Sequence, residues 1–513
     1  MSGDMQDLRG KVESAFKPLE PYRYRFDEPP ERQDQSWMED ILKVCSNKEI
    51  RNKTGRLAEM LRQWVLSKPD MIFATLRDTD ELLHYEDGVY AKFGEKVVAE
   101  WVEAMMNNAR CGAYTSSHLV SEVVNSVKRN SYVDREIFDE RPELICMENG
   151  IFNIESKEFF EHTPDYRFLV KIPVTYDAKQ ECPVFDRFVE DILPEQKDRD
   201  ALVEFTGYCL YRSLPFHKSF MLVGSGSNGK STFLGVLKNL LGDRNVSCVG
   251  LQELEGNFAL AALYGKLANI YPDLSSKAMK STGKFKALTG GDSLTTDVKF
   301  REHMTVSFTL KMIFSCNEIP NVISDDTAAY FRRWCILTFP KQYTEDTADP
   351  DLPKKLTTKE ELSGVFNKAI AALGRLMKNR KFSNDCGIAA ARDRYIRSSD
   401  PIRAFVMDEI EDDENGRLAI DSEGSIPKNA LYAIYREYCK GRGYMVKTDD
   451  IFFKILKTHA HVETVRITID EKRVWSLQGL RLKGEIPQPK VSDDEQTTFE
   501  IMGNSAPFNL SED

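Results

Sequence analysis

The chain has 513 residues, 41% of them hydrophobic, enough to bury several cores and, by length alone, to form roughly two to four domains. No apolar run approaches the ~20 residues that span a bilayer and Met1 to Arg23 is polar and charged, so a cytoplasmic protein without membrane contact is expected. The net charge of -11 excludes a general nucleic-acid coat while leaving room for a local basic channel, and ten cysteines without a C-x-x-C pair indicate neither a zinc ribbon nor a disulfide framework.

Residues 1–48 are charged, contain Pro29-Pro30 and read as a tail. A helix is predicted from Ile50 to Lys68, where Leu57, Met60, Leu61, Trp64 and Val65 recur at helical spacing. Phe73 to Tyr90 reads as short strands around a turn at Glu86-Asp87-Gly88. Asp78 and Asp80 alternate as a metal-binding pair would, but no third carboxylate or histidine cluster follows, which favours a solvated turn. Residues 97–135 look helical and amphipathic, Cys146 to Phe160 reads as a hairpin turning at Asn149-Gly150, and a helical block runs from Pro183 to Leu214.

The apolar run Phe220 to Val223 then reads as a buried strand, and a helix resumes at Ser231. Between them lies G-x-x-x-x-G-K-S: Gly224, Ser225, Gly226, Ser227, Asn228, Gly229, Lys230, Ser231, followed by Thr232. The glycines let the backbone curl into a nest of N–H groups for phosphate oxygens at a helix N-terminus. Lys230 would reach the terminal phosphates of ATP and the Ser231 hydroxyl would coordinate Mg2+.

Leu267 to Asp273 is an apolar strand ending in a carboxylate, suited to the Mg2+ shell or to orienting attacking water. Lys284 to Asp292 carries T-G-G-D, and Lys299 and Arg301 fall in an alternating stretch with the pattern of a protruding hairpin. Met312 to Asn317 is a second buried strand whose terminal amide can hydrogen-bond a γ-phosphate, against the alternative of a turn before Pro320. Arg332 and Arg333, before the strand Cys335 to Phe339, are surface charge or an arginine finger acting across a subunit boundary. Downstream, a helix from Glu360 to Lys378, a charged helix leading to Pro401, a loop over 411–425, helices Pro427 to Arg442 and Asp450 to His459 and paired strands Val462 to Leu482 are predicted. The last two helices with their strands have the order of a winged helix, and residues 483–513 have the composition of a disordered acidic tail.

In this order the phosphate loop, the strand to Asp273, the T-G-G-D block, Asn317-x-x-Pro320 and F-R-R-W resemble superfamily 3 helicases, and more closely the helicase part of phage, plasmid and poxvirus-type primase-helicases. The resemblance implies an α/β, AAA+-like P-loop NTPase core over 181–380. A mixed α+β helicase-associated domain would occupy 49–180 and a winged-helix domain 381–482. It further implies an ATP-dependent DNA helicase acting in replication, a homo-hexamer on single-stranded and forked DNA. In it Lys230 and Ser231 bind phosphate and Mg2+, Asp273 serves metal or water, and Asn317 senses the γ-phosphate. Arg332 or Arg333 completes the neighbour's site, and Lys299 and Arg301 meet DNA. About 50 residues precede the module, so a separate primase or polymerase chain is expected. Many relatives carry two adjacent acidic residues where this chain has Pro272-Asp273-Leu274, leaving the water-orienting group open. The rival reading is an ATP-switched replication initiator that recognises duplex DNA through its winged helix.

Overall fold

A computed structural model describes residues 36–68, 71–256, 258–275, 281–296, 304–320, 327–385, 387–412, 414–442, 444–469 and 472–483. The chain forms two compact units, one running to residue 399 and including 443–445, the other taking the rest from residue 400.

The first unit opens with helices Ser36–Ser46, Lys53–Ser67, Gly94–Asn108 and Ser117–Arg129, whose apolar stripes share a core containing Ile41, Leu61, Val65, Val98, Val102, Val123 and Val127. The first of these helices lies within the stretch expected as a tail. Ile41, Val44 and Cys45 repeat at helical spacing and are buried, and Trp37 meets Trp64 at 5.4 Å between ring centroids. Beside the helices, strands β1 (Phe73–Leu76), β2 (Leu82–Glu86), β3 (Val89–Ala91) and β4 (Tyr132–Val133) form a sheet in the order β3-β2-β1-β4. Asp78 pairs with Arg135 at 2.6 Å, and Asp80 accepts from Lys128 at 2.8 Å and from the Tyr132 hydroxyl. Both carboxylates are thus engaged by cations, and no cluster of three metal-ligating side chains occurs among the described residues. Strands β5 (Leu144–Met147), β6 (Gly150–Asn153) and β7 (Phe159–Phe160) make an antiparallel sheet; the first hairpin turns at Glu148-Asn149, one residue before the expected Asn149-Gly150, because Gly150 already pairs with Met147.

Next come helices Pro183–Ile192 and Gln196–Leu210 and strands β8 (Ser219–Val223), β9 (Val246–Ser247), β10 (Ala268–Tyr271), β11 (Ser293–Thr296), β12 (Met304–Ser307), β13 (Lys311–Cys316) and β14 (Trp334–Thr338). Five of them build a wholly parallel sheet in the order β14-β8-β13-β10-β9, while β11 and β12 pair antiparallel apart from it. Side chains alternate across β8. Phe220 and Leu222 enter a core with Phe205, Phe233 and Leu373, whereas Met221 and Val223 enter one with Phe285, Phe314 and Trp334. Burial on both faces is what a parallel sheet requires, and it explains the unbroken apolar runs in the sequence. Helices Gln196–Leu210 and Lys359–Asn379 approach so closely that a Cβ on Gly207 would lie 2.2 Å from the Ala369 carbonyl oxygen.

Helix Ile388–Ser399 also belongs to this unit: Tyr395 is buried against Tyr330, Phe331 and Trp334. The division therefore falls at Asp400, whose side chain caps the next helix through Ile402 N and Arg403 N, and not at residue 380. The second unit contains helices Pro401–Glu409, Lys428–Arg442 and Asp449–His459 and an antiparallel sheet of β15 (Leu418–Pro427), β16 (Glu463–Ile469) and β17 (Lys472–Leu482), ordered β15-β17-β16. Phe405, Tyr435, Phe452 and Leu477 are buried, with Tyr435 and Phe452 stacked at 4.3 Å. Strand β15 occupies much of the stretch expected as a loop. It is an edge strand with a register shift between Asp421 and Ser425, and its half-buried Asp421 and exposed Ser422, Glu423 and Ser425 give it the composition of a loop. No helix among the described residues is long and apolar enough to cross a membrane.

Candidate functional site

The loop leaving β8 has no room for side chains at its start: a Cβ on Gly224 would sit 2.1 Å from Asn228 Nδ2 and 2.8 Å from the Phe339 carbonyl oxygen. Gly226 (φ +105°), Ser227 (φ +47°) and Gly229 (φ +86°) all take the left-handed conformation, so the chain coils tightly before helix Lys230–Leu241 begins. That helix has no side-chain N-cap, which leaves the amides of its first turn to an anion.

Lys230 is only 5% exposed, and its Nζ donates to Gly224 O at 2.7 Å and Asn228 Oδ1 at 2.9 Å. Burial pulls its pKa down to about 8, an effect partly opposed by neighbouring negative charge, including that of Asp273. Asn228 Nδ2 is buried without a hydrogen-bond partner among the described residues. A cationic side chain held on neutral carbonyls and an orphaned amide donor beside it both fit an incoming polyphosphate.

The loop opens onto a cleft of about 1190 Å³ at the carboxyl ends of the parallel strands. Gly226 to Thr232 line its floor, Asp273 comes from beyond β10, and Asn317 from the end of β13. Their placement follows from the backbone: the Leu274 N–H donates to Ser315 O at 2.7 Å, which carries the β10–β13 association past the strands and sets Asp273 near Asn317. Helix Pro183–Ile192 forms one wall with Phe188 and Asp191, and residues 343–355 form another. Lys230, Ser231, Thr232, Asp273 and Asn317 are therefore brought together. Ser231 and Asp273 present the hydroxyl and carboxylate oxygens that a hard divalent cation takes.

The two arginines diverge. Arg332 is exposed, whereas Arg333 is 7% exposed and donates through Nε to Thr289 Oγ1 at 2.8 Å, through Nη2 to Lys286 O at 3.2 Å and through Nη1 to Ala329 O. Neither lines the cleft of its own chain. Arg333 instead ties helix Gly283–Gly290, which carries the start of T-G-G-D, to the entrance of β14. Lys299 and Arg301 lie outside the described residues.

Asp191, Gln342 and Tyr343 had no signal in the sequence. Gln342 Nε2 donates to Ser225 Oγ at 2.8 Å, the Tyr343 N–H donates to Ser227 O at 2.7 Å, and the Tyr343 hydroxyl donates to Asp191. Such contacts arise from tertiary packing and leave no local pattern.

Residues 30–194 match a family described as "D5 N terminal like", and residues 222–333 match a family of unknown function, DUF5906. The chain is 26% identical over 228 residues to "Putative helicase L207/L206" of Acanthamoeba polyphaga mimivirus, covering 42% of this chain and 24% of that protein. It is 25% identical over 243 residues to "Putative helicase 121R" of Invertebrate iridescent virus 3, covering 44% and 26% respectively. The chain thus spans about a quarter of the length of these relatives. Among solved structures, the apo structure of the NrS-1 C terminal region is similar at a TM-score of 0.43 and 12% identity, over 79% of this chain and 95% of that one. A second apo form of that region has a TM-score of 0.42 at 11% identity, again over 79% and 95%. Taken together, the sequence matches support a relationship to viral helicase-type proteins.

Proposed function

We propose that this chain is an ATP-dependent DNA helicase of the superfamily 3 type, acting in replication of a virus, plasmid or integrated element. The observation that carries the reading is the convergence of the left-handed glycine loop, buried Lys230, Asp273 and Asn317 on one cleft at the carboxyl ends of a parallel sheet. In this account the sheet with its loop is a P-loop NTPase core of AAA+ type, and the unit from residue 400 is a winged helix.

ATP binds with its phosphates on the loop and first-turn amides, and Lys230 leaves its carbonyl partners to neutralise the terminal phosphates. Ser231 and Asp273 would hold Mg2+, which would supply positive charge against the phosphates. Asn317 hydrogen-bonds the γ-phosphate or the attacking water, and Asp273 helps to orient that water. Exposed Arg332 reaches the site of the next subunit in a homo-hexameric ring, while Arg333 holds its own chain together. Single-stranded DNA in the ring's channel meets Lys299 and Arg301, and a separate primase or polymerase acts alongside.

Mixing tests the shared site. Chains carrying Lys230→Ala and chains carrying Arg332→Ala are each inactive alone and regain hydrolysis when co-assembled, because some interfaces hold both intact halves. No recovery at any ratio, with mixed assemblies verified, would contradict it.

A further inference from the structure

Three elements far apart in the sequence meet around the glycine loop. Ser227 holds φ +47°, a conformation that disfavours a side chain, and its carbonyl accepts the Tyr343 N–H at 2.7 Å. Gln342 holds the Ser225 hydroxyl at 2.8 Å. Tyr343 and Lys341 both engage Asp191, one through each carboxylate oxygen, and the Lys341 Nζ also lies 5.2 Å from the Tyr343 ring centroid. The helix that carries Asp191, Pro183–Ile192, also presses on the loop: a Cβ on Gly229 would meet Ile192 Cγ2 at 2.6 Å.

Asp191 is the point of interest, because its carboxylate lines the cleft that the glycine loop floors. Partial burial raises its pKa, but the bonds from Lys341 and Tyr343 outweigh burial and hold it below the usual carboxylate range, so it is an anion at neutral pH. A negative charge there opposes a polyphosphate unless a cation covers it.

We propose that Lys341, Tyr343 and Asp191 form a clamp that keeps the glycine loop in its anion-binding shape and masks the Asp191 charge from bound nucleotide. They are positioning residues. Lys341 acts through Asp191, and Tyr343 acts through both Asp191 and the Ser227 backbone. The inference rests on the nucleotide-binding reading of the cleft and adds to it a source of affinity that lies outside the phosphate-binding motif.

The test is equilibrium binding of a fluorescent ATP analogue to the full chain, with thermal melting of the nucleotide-free protein as the control for folding. Lys341→Ala exposes the carboxylate and weakens binding by about tenfold. Asp191→Asn removes the charge, keeps an acceptor for Tyr343 and weakens binding by no more than about twofold. The double variant binds within about twofold of Asp191→Asn, so that deleting the carboxylate rescues the loss of the lysine. A purely structural Lys341 would show no such rescue. Lys341→Gln, which removes the charge but keeps two of the four methylenes, repeats the measurement should the alanine variant fold poorly. Wild-type affinity in both lysine variants, or a double variant as weak as Lys341→Ala, overturns the clamp. A wild-type chain that binds no nucleoside triphosphate overturns the underlying reading as well, whereas wild-type binding with unaffected variants sinks the clamp alone.

Discussion

Truncating Arg333 to alanine separates two fates for a pair of adjacent arginines. The guanidinium is 7% exposed and donates to Thr289 Oγ1, Lys286 O and Ala329 O. Hydrogen bonds from a charged group contribute about 1.5–3 kcal/mol each, and bonds sharing one donor group are not additive, so the expected destabilisation is about 3–5 kcal/mol. The Thr289 hydroxyl keeps its bond to Phe285 O at 2.7 Å, which limits the loss. In a unit of about 400 residues that corresponds to a fall in melting temperature of roughly 4–7 °C. Lysine does not substitute, because one ammonium cannot reproduce a planar fork reaching three acceptors. Arg332→Ala, at an exposed position, shifts stability by less than about 0.5 kcal/mol. Scanning fluorimetry of the two single variants side by side reads the difference. If Arg333→Ala melts with the wild type while Arg332→Ala melts lower, the assignment of roles is reversed.

The pH dependence of ATP binding follows from Lys230. Burial lowers its pKa from 10.5 to about 8, so its cost to stability is full below pH 8 and is relieved as pH rises toward 10.5. The ammonium that attracts phosphate is lost over the same rise, so ATP affinity falls above about pH 8, and titration of Lys230→Gln shows no inflection there. Gly207→Ala brings a Cβ 2.2 Å from Ala369 O and destabilises the first unit by at least about 1–3 kcal/mol, read by denaturant unfolding. Burial pushes the Asp78 carboxyl up, but the Arg135 hydrogen bond and charge outweigh it and leave the pKa below 3.8. Its stabilisation is therefore full above the unfolded value and is lost as pH falls through the lower folded one. Asp78→Asn accordingly flattens that acid limb of the stability profile and leaves ATP hydrolysis unchanged.

The glycine loop of the candidate site was legible because a tight left-handed turn between a strand and a helix imposes a local pattern. A strand must end, left-handed residues must follow, and a lysine must open the helix, as Val223, Gly226, Gly229 and Lys230 do. The strand ends at Asp273 and Asn317 were legible as apolar runs closing on polar residues, since a sheet buried on both faces leaves no alternation to obscure them. Elsewhere the deciding contacts are distant. Arg332 and Arg333 are identical as letters, and which one turns inward depends on packing of the short helix Ala328–Phe331 against helix Gly283–Gly290. Strand β15 was hidden because Asp421 and Glu423 sit on an exposed edge, where solvent tolerates the composition of a loop. Helix Ser36–Ser46 was hidden by the charged stretch before it. The Asp191–Lys341–Tyr343 contacts join positions that nothing in a linear reading connects.

The most direct test of the central claim is ATP hydrolysis by the purified full-length chain, with and without single-stranded DNA, beside Lys230→Ala. The account predicts turnover in the wild type that rises strongly with single-stranded DNA and falls to background in the variant. Hydrolysis that persists in Lys230→Ala, or that answers only to a specific duplex, would contradict it.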